Sequence, residues 1–198
     1  MHDPGVLHGG KKESEMAMKL RDTILERLKD TYNFISVPDS LNLANSIAWI
    51  NGRANINDVA FSIHLNANSN KLIRGTEAYY YNTREGELAA IYSREVAGAL
   101  GIPNRGAMPD RWSWVGSLGW IRKLKCDSVL IEICYMTNTA DMGALDYDKA
   151  SIGIERALAE IIPRKETDLQ KIETQLEAIR RQVDALIKRI LRLLANRK

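Results

Sequence analysis

The stretch "SVLIEICYM" (128–136) decides the fold, because eight of its nine residues suit a buried strand and one, Glu132, does not. A continuous β-branched and apolar run of this length, without helical period, reads as a strand covered on both faces. "VAFSIHL" (59–65) repeats the pattern, again with one ionisable residue, His64, near its carboxyl end. A charge in a central strand is costly unless it is paired or binds a metal. Glutamate in particular is almost never fully buried without a partner, whereas a lone histidine is often an ordinary hydrogen-bonded core residue.

Working outward, "GTEAYYYN" (75–82) reads as a further strand and "FISV" (34–37) as a short one. Helical spacing of Ala17, Leu20, Ile24 and Leu28 predicts an amphipathic helix after Glu13. Residues 38–58 read as a turn and a second helix behind a Ser or Asp cap; a third helix spans 85–100, stopped by Gly101 and Pro103. Residues 104–126 read as irregular with a short helix near 115–123, and 147–161 is helical again. Strands alternating with helices predict an α/β fold: a mostly parallel twisted sheet flanked by helices on both faces. In such folds ligands collect at the carboxyl ends of strands, where His64 and Glu132 fall.

The 198 residues, 45% hydrophobic, suffice for one α/β domain with an appendage. No apolar run approaches the roughly 20 residues of a spanning helix. Residues 1–15 are polar and glycine-rich rather than a secretory signal, so the chain is expected to be made in the cytoplasm. Cys126 and Cys134 lack CxxC spacing and read as reduced, buried thiols. The net charge of +3 is concentrated: residues 165–198 carry nine Lys or Arg against five acids, leaving the rest near neutral. Nothing in this pattern points to nucleic acid.

Four segments in order, "FSIHLNAN" (61–68), "GTEAYYY" (75–81), "NRGAM" (104–108) and "VLIEICYMTNTAD" (129–141), resemble the zinc-dependent N-acetylmuramoyl-L-alanine amidases of the amidase 3 family. The resemblance implies Zn²⁺ held by an N-terminal His, a Glu a dozen or so residues later and His64, with Glu132 as the catalytic acid/base. It also implies Arg105 and Asn66 as substrate-binding residues, and peptidoglycan as the substrate. Two imidazoles and a carboxylate leave an open tetrahedral position for water, as catalytic zinc requires.

The other ligands would come from the opening "MHDPGVLHGGKKESE" (1–15). Glu13, just ahead of the amphipathic helix, matches the family's ligand Glu, with Glu15 the alternative. His2, eleven residues before Glu13, is preferred to His8, which sits in a family-like "HGG" but only five residues away. The family's strand ahead of the first His has no counterpart here. A phosphate loop is disfavoured, since the Lys-Ser/Thr ending of a Walker motif is missing. "RWSWVGSLGW" (111–120) reads either as a sugar-stacking surface or as tryptophans packed under a loop.

Leu169, Ile172, Leu176, Ile179, Val183, Leu186, Ile190 and Leu193 follow one another in alternating steps of 3 and 4. That is the seam of a coiled coil, and the surrounding basic residues also suit an anionic membrane surface. The expected organisation is therefore a zinc amidase domain over 1–162 and a heptad helix over 163–198, serving self-association or membrane contact. The expected biology is that of a phage or prophage endolysin, acting on the cell wall after release. The alternatives are a host wall-remodelling amidase and a catalytically inactive peptidoglycan-binding scaffold.

Overall fold

The computed structural model describes residues 5–164 and 168–195, with side chains described through 164 and over 172–192. The elements run β1 (Leu7–His8), β2 (Lys11–Lys12), α1 (Glu13–Leu28), α2 (Leu43–Asn51), β3 (Val59–Asn66), β4 (Thr76–Tyr80), α3 (Thr83–Leu100), β5 (Asn104–Pro109), α4 (Gly119–Lys123), β6 (Asp127–Tyr135), α5 (Thr139–Ala144), α6 (Tyr147–Ile161) and α7 (Asp168–Ala195). Two compact units result, Met1–Pro163 and Arg164–Lys198.

The first unit is built on a four-stranded sheet of order β3-β6-β4-β5. β3 runs parallel to β6 and β4 parallel to β5, while β4 and β6 are antiparallel, so the sheet is mostly parallel. Strand alternation separates its two faces. Phe61, Ile63, Leu65, Ala78, Val129, Ile131 and Ile133 belong to the core with Tyr92 and Val96 of α3 and Ile154 and Leu158 of α6. The intervening positions carry His64, Glu77, Tyr79 and Glu132. One face makes the core and the other carries the chemistry.

Helix boundaries follow local chemistry. α1 buries Met16, Leu20, Ile24 and Leu28 at helical spacing against β3 and α6. Each such side chain is worth about 1.5–3 kcal/mol of burial. α3 opens on a capping box, in which Asn82 accepts from the Glu85 amide and Glu85 accepts from the Asn82 amide. It closes at Gly101, whose φ of 69° is left-handed and free of Cβ strain only for glycine.

Three expectations are corrected. Residues 34–37 form no strand: Ile35 is exposed, and the segment finds no ladder partner. The cap of α2 is Asn42, which accepts from the Asn45 amide, rather than a Ser or Asp. Residues 104–109 are strand β5, not irregular chain, because β4 supplies a parallel neighbour that a run containing Gly106 and Pro109 does not announce. Cys126 and Cys134 are buried free thiols.

Candidate functional site

Register places His64, Glu132 and Glu77 in one row across β3, β6 and β4, and the row ends at Gly106 of β5. Neighbouring strands lie about 4.8 Å apart, so three ionisable groups are forced together on one face. A slip of one residue in β6 would turn Glu132 into the core.

Glu13 joins this row from the first turn of α1. Its Oε1 lies 2.8 Å from His64 Nδ1 and accepts from the Leu65 amide at 3.4 Å. Its Oε2 accepts from the Val6 amide at 2.8 Å, and the Glu13 amide in turn donates to the Val6 carbonyl at 2.9 Å. The opening segment thus folds back over Glu13 and fixes it. Gly5, at φ 63°, makes this possible, since a Cβ there would collide with the Glu13 carboxylate. Burial works to raise the Glu13 carboxyl, but the hydrogen bonds from His64 and Val6 outweigh it and hold the pKa below its ordinary value. His64 Nε2 lies 3.0 Å from the Ser62 hydroxyl.

Glu132 has the opposite surroundings. Its Oε2 is shielded from solvent and meets no hydrogen-bond partner in the structure. Burial pushes its carboxyl up to about 8; the His64 imidazole pulls it down, and the Glu13 and Glu77 carboxylates push it further up. An orphaned acid with a pKa near neutrality is uncommon in a strand whose other residues are packed, and such groups cluster at functional sites.

The residues read as substrate-binding, Asn66 and Arg105, both turn toward Glu77. Asn66 Nδ2 donates to its Oε1 at 2.8 Å, Tyr79 OH donates to the same oxygen at 2.8 Å, and Arg105 Nε donates to Oε2 at 2.6 Å. Arg105 also lies over the Tyr135 ring, 5.5 Å from its centroid. Glu77 is 2% exposed and is the hub that sequence reading missed. Its signal was available: "GTEAYYY" interrupts an apolar strand with a carboxylate just as "SVLIEICYM" does. Asp141, the residue that ends the "VLIEICYMTNTAD" segment, was given no role by the sequence; fully buried, it accepts from the Gly75 and Tyr135 amides and from Arg74 Nε, tying the turn after β6 to the start of β4.

Of the sequence-derived ligands, the structure brings Glu13 and His64 together, and His2 lies outside the described residues. His8 sits in the β1/β2 hairpin opposite Lys11. Glu15 turns outward to Lys12 Nζ at 2.7 Å. Among the described residues no three His, Cys, Asp or Glu form a group able to hold a metal. What is present suits zinc in kind: an imidazole and a carboxylate in mutual contact, beside an acid whose buried oxygen has no partner. Trp112 and Trp114 are exposed, so the expectation of tryptophans packed under a loop does not hold for these two.

Comparison with solved structures shows the same fold at low identity. The chain is similar to the catalytic domain of CwlV, an N-acetylmuramoyl-L-alanine amidase from Bacillus (Paenibacillus) polymyxa var. colistinus, at 23% identity and a TM-score of 0.69, covering 81% of this chain and 91% of that one. It is similar also to the amidase AmiC2 of Nostoc punctiforme (21% identity, TM-score 0.69, 80% and 89% covered). A third likeness is to the catalytic domain of the CD27L endolysin targeting Clostridia difficile (20% identity, TM-score 0.62, 80% and 89% covered). No curated protein sequence matches the chain significantly. The family model for N-acetylmuramoyl-L-alanine amidase matches residues 1–164, and the chain belongs to that family, amidase 3.

Proposed function

We propose that this amidase hydrolyses the amide between N-acetylmuramic acid and L-alanine in peptidoglycan, with zinc held by Glu13, His64 and His2 and with Glu132 moving the proton. The carrying observation is Glu132 Oε2, buried and unpartnered in register beside His64. Bound zinc supplies Lewis-acid chemistry, polarising the scissile carbonyl and bringing the pKa of water toward roughly 7.

The chain's own groups do the rest. The Glu13 carboxylate, itself held by the Val6 amide, steadies the His64 ring at Nδ1, while the core side of β3 fixes its backbone. Glu132, with no donor committing either protonation state, takes a proton from water at Oε2 and returns it to the leaving amine nitrogen. A pKa of about 8 without metal falls when a cation binds nearby, which brings the carboxyl to its ionised, proton-accepting form at neutral pH. Glu77 holds Arg105 and Asn66 at the row's far side, where the remaining guanidinium N–H groups can meet the substrate carbonyl or stem peptide.

The exposed Trp112 and Trp114 support a glycan-stacking role, as expected for an enzyme acting on a polymer at the cell wall. The endolysin reading is supported by the likeness to CD27L and by the basic C-terminal unit.

The test is release of new L-alanine amino termini from purified sacculi with and without a chelator. Activity abolished by chelation and restored by zinc, with one zinc equivalent lost in His64→Ala, is the expected result. A metal-free protein that binds sacculi without cleaving them supports the inactive scaffold, and full activity in Glu132→Gln overturns the mechanism.

A further inference from the structure

Among the described residues of the C-terminal unit stands one helix, α7, of 28 residues, about 42 Å long. Its described side chains place Leu176, Val183 and Ile190 at heptad a positions and Ile172, Ile179 and Leu186 at d. All six are between 47% and 59% exposed. Helices in proteins draw most of their stability from packing an apolar face, so a seam of this length calls for an occupant.

The charges along the seam name one. Glu173 and Glu177 make the first part acidic, whereas Arg180, Arg181, Lys188, Arg189 and Arg192 against Asp184 make the remainder strongly basic. Two parallel copies would set basic part against basic part. Two antiparallel copies set Glu173 of each level with Arg189 of the other and Glu177 within a turn of Lys188, with Arg180 and Arg181 meeting their own copies at the centre. The apolar residues agree: antiparallel pairing puts Leu176 against Leu186, Val183 against Ile179, and Ile190 against Ile172, using every described a and d residue in three self-complementary layers repeated by symmetry. No polar residue stands at a described a position to fix a parallel register.

An anionic lipid surface fits less well, because the seam continues unbroken through the acidic part, which such a surface repels. The stripe widens only toward the basic end, through Ile187 and Leu191.

We propose that α7 is a self-association helix, pairing antiparallel with α7 of a second copy of this chain. The assembly would carry two amidase units, one on each chain, which lets a single assembly engage two stretches of a polymeric substrate with an avidity neither unit has alone.

The experiment is light scattering of the full chain across a micromolar dilution series, joined to cysteine cross-linking. The expected mass is twice the chain mass of 22.3 kDa, returning to one chain in the Ile179→Glu, Val183→Glu double variant. Gln175 and Arg189 share the g position and approach across an antiparallel pair. A mixture of Gln175→Cys chains with Arg189→Cys chains should therefore form mixed disulfides several-fold faster than either forms its own. Faster homodisulfides would overturn the orientation. A single chain mass throughout the series would overturn the self-association. So would a monomer that sediments with vesicles of phosphatidylcholine and phosphatidylglycerol, since the occupant would then be lipid.

Discussion

Glu132 and Glu77 stand opposite each other on β6 and β4, both set in otherwise packed strands, yet their surroundings differ in one respect that decides what each can do. Glu77 accepts from Asn66, Tyr79 and Arg105, so its carboxylate is saturated with donors and fixed. Glu132 Oε2 has no donor at all, and burial holds its proton on to about pH 8. A donor-rich acid is a strut, because moving its proton would break several bonds at once. A donor-free acid pays for its burial in stability and gains the freedom to exchange a proton.

The largest effect that can test this contrast is on turnover. Glu132→Gln is expected to lower kcat on sacculi by about 10²- to 10⁴-fold, the usual worth of a positioned acid/base, with the circular dichroism spectrum and zinc content unchanged. A loss of less than tenfold would mean that Glu132 is not the proton carrier and that the comparison fails on its functional side.

Glu77→Gln breaks the contrast from the other end. It leaves Arg105 without its carboxylate partner and presents an amide N–H to donors. Since the guanidinium is about a third exposed, the cost is discounted from the 3–5 kcal/mol of a fully buried pair to about 2 kcal/mol, or roughly 4–8 °C in Tm. The expected kinetic signature is a rise in KM larger than the fall in kcat. A kcat loss equal to that of Glu132→Gln would show that the two acids share the chemistry.

How much of this was legible in the sequence follows from which forces are local. His64 and Glu132 stood out because an ionisable residue in an apolar strand has no local excuse, and α1, α3 and α6 were legible through periodicity and caps. Strand β5 was not, because its pairing with β4 is a long-range contact that Gly106 and Pro109 disguise. Glu77 carried the same local signal as Glu132, but its role as a hub was not legible, because its partners Asn66 and Arg105 come from two other strands and only register brings them together. Val6 as the support of Glu13 was invisible too, since a backbone amide has no sequence signature.

The pH dependence of stability sharpens the contrast through its sign. In the chelated protein, Glu132 keeps its proton to about pH 8, while an unfolded chain ionises near the ordinary 4.5. The folded state then binds more protons than the unfolded one between these values, so stability is full below about pH 4.5 and falls as pH rises toward 8. Glu132→Gln removes that slope and is expected to stabilise the chelated protein by about 3 kcal/mol at pH 7, the roughly 2.5 pH units above 4.5 at about 1.36 kcal/mol each, measured by urea unfolding across the pH range. Glu13, whose carboxyl is held low, acts in the opposite sense and loses its contribution only as pH falls below 4.5. If the variant were no more stable at pH 7 than its parent, water or another donor would already satisfy Oε2, and Glu132 would belong with Glu77.

The smallest effect concerns the segment that steadies Glu13 rather than either acid. Gly5→Ala forces a Cβ into the Glu13 carboxylate at a backbone φ of 63°, where a left-handed residue costs roughly 1–2 kcal/mol even in open space. The displaced carboxylate loses the Val6 amide, which is what orients Oε1 toward His64. Since Glu13 is a first-turn residue of α1 and the helix is anchored independently by Leu20, Ile24 and Leu28, the fold should survive with Tm lowered by only a few degrees. Zinc affinity measured by competition with a chelator is expected to fall about 10- to 100-fold, the range for losing a group that orients a metal ligand. An unchanged affinity would show that the opening segment supports the fold of α1 but takes no part in presenting Glu13, and the metal-binding half of the site would then have to be sought beyond the Glu13–His64 pair.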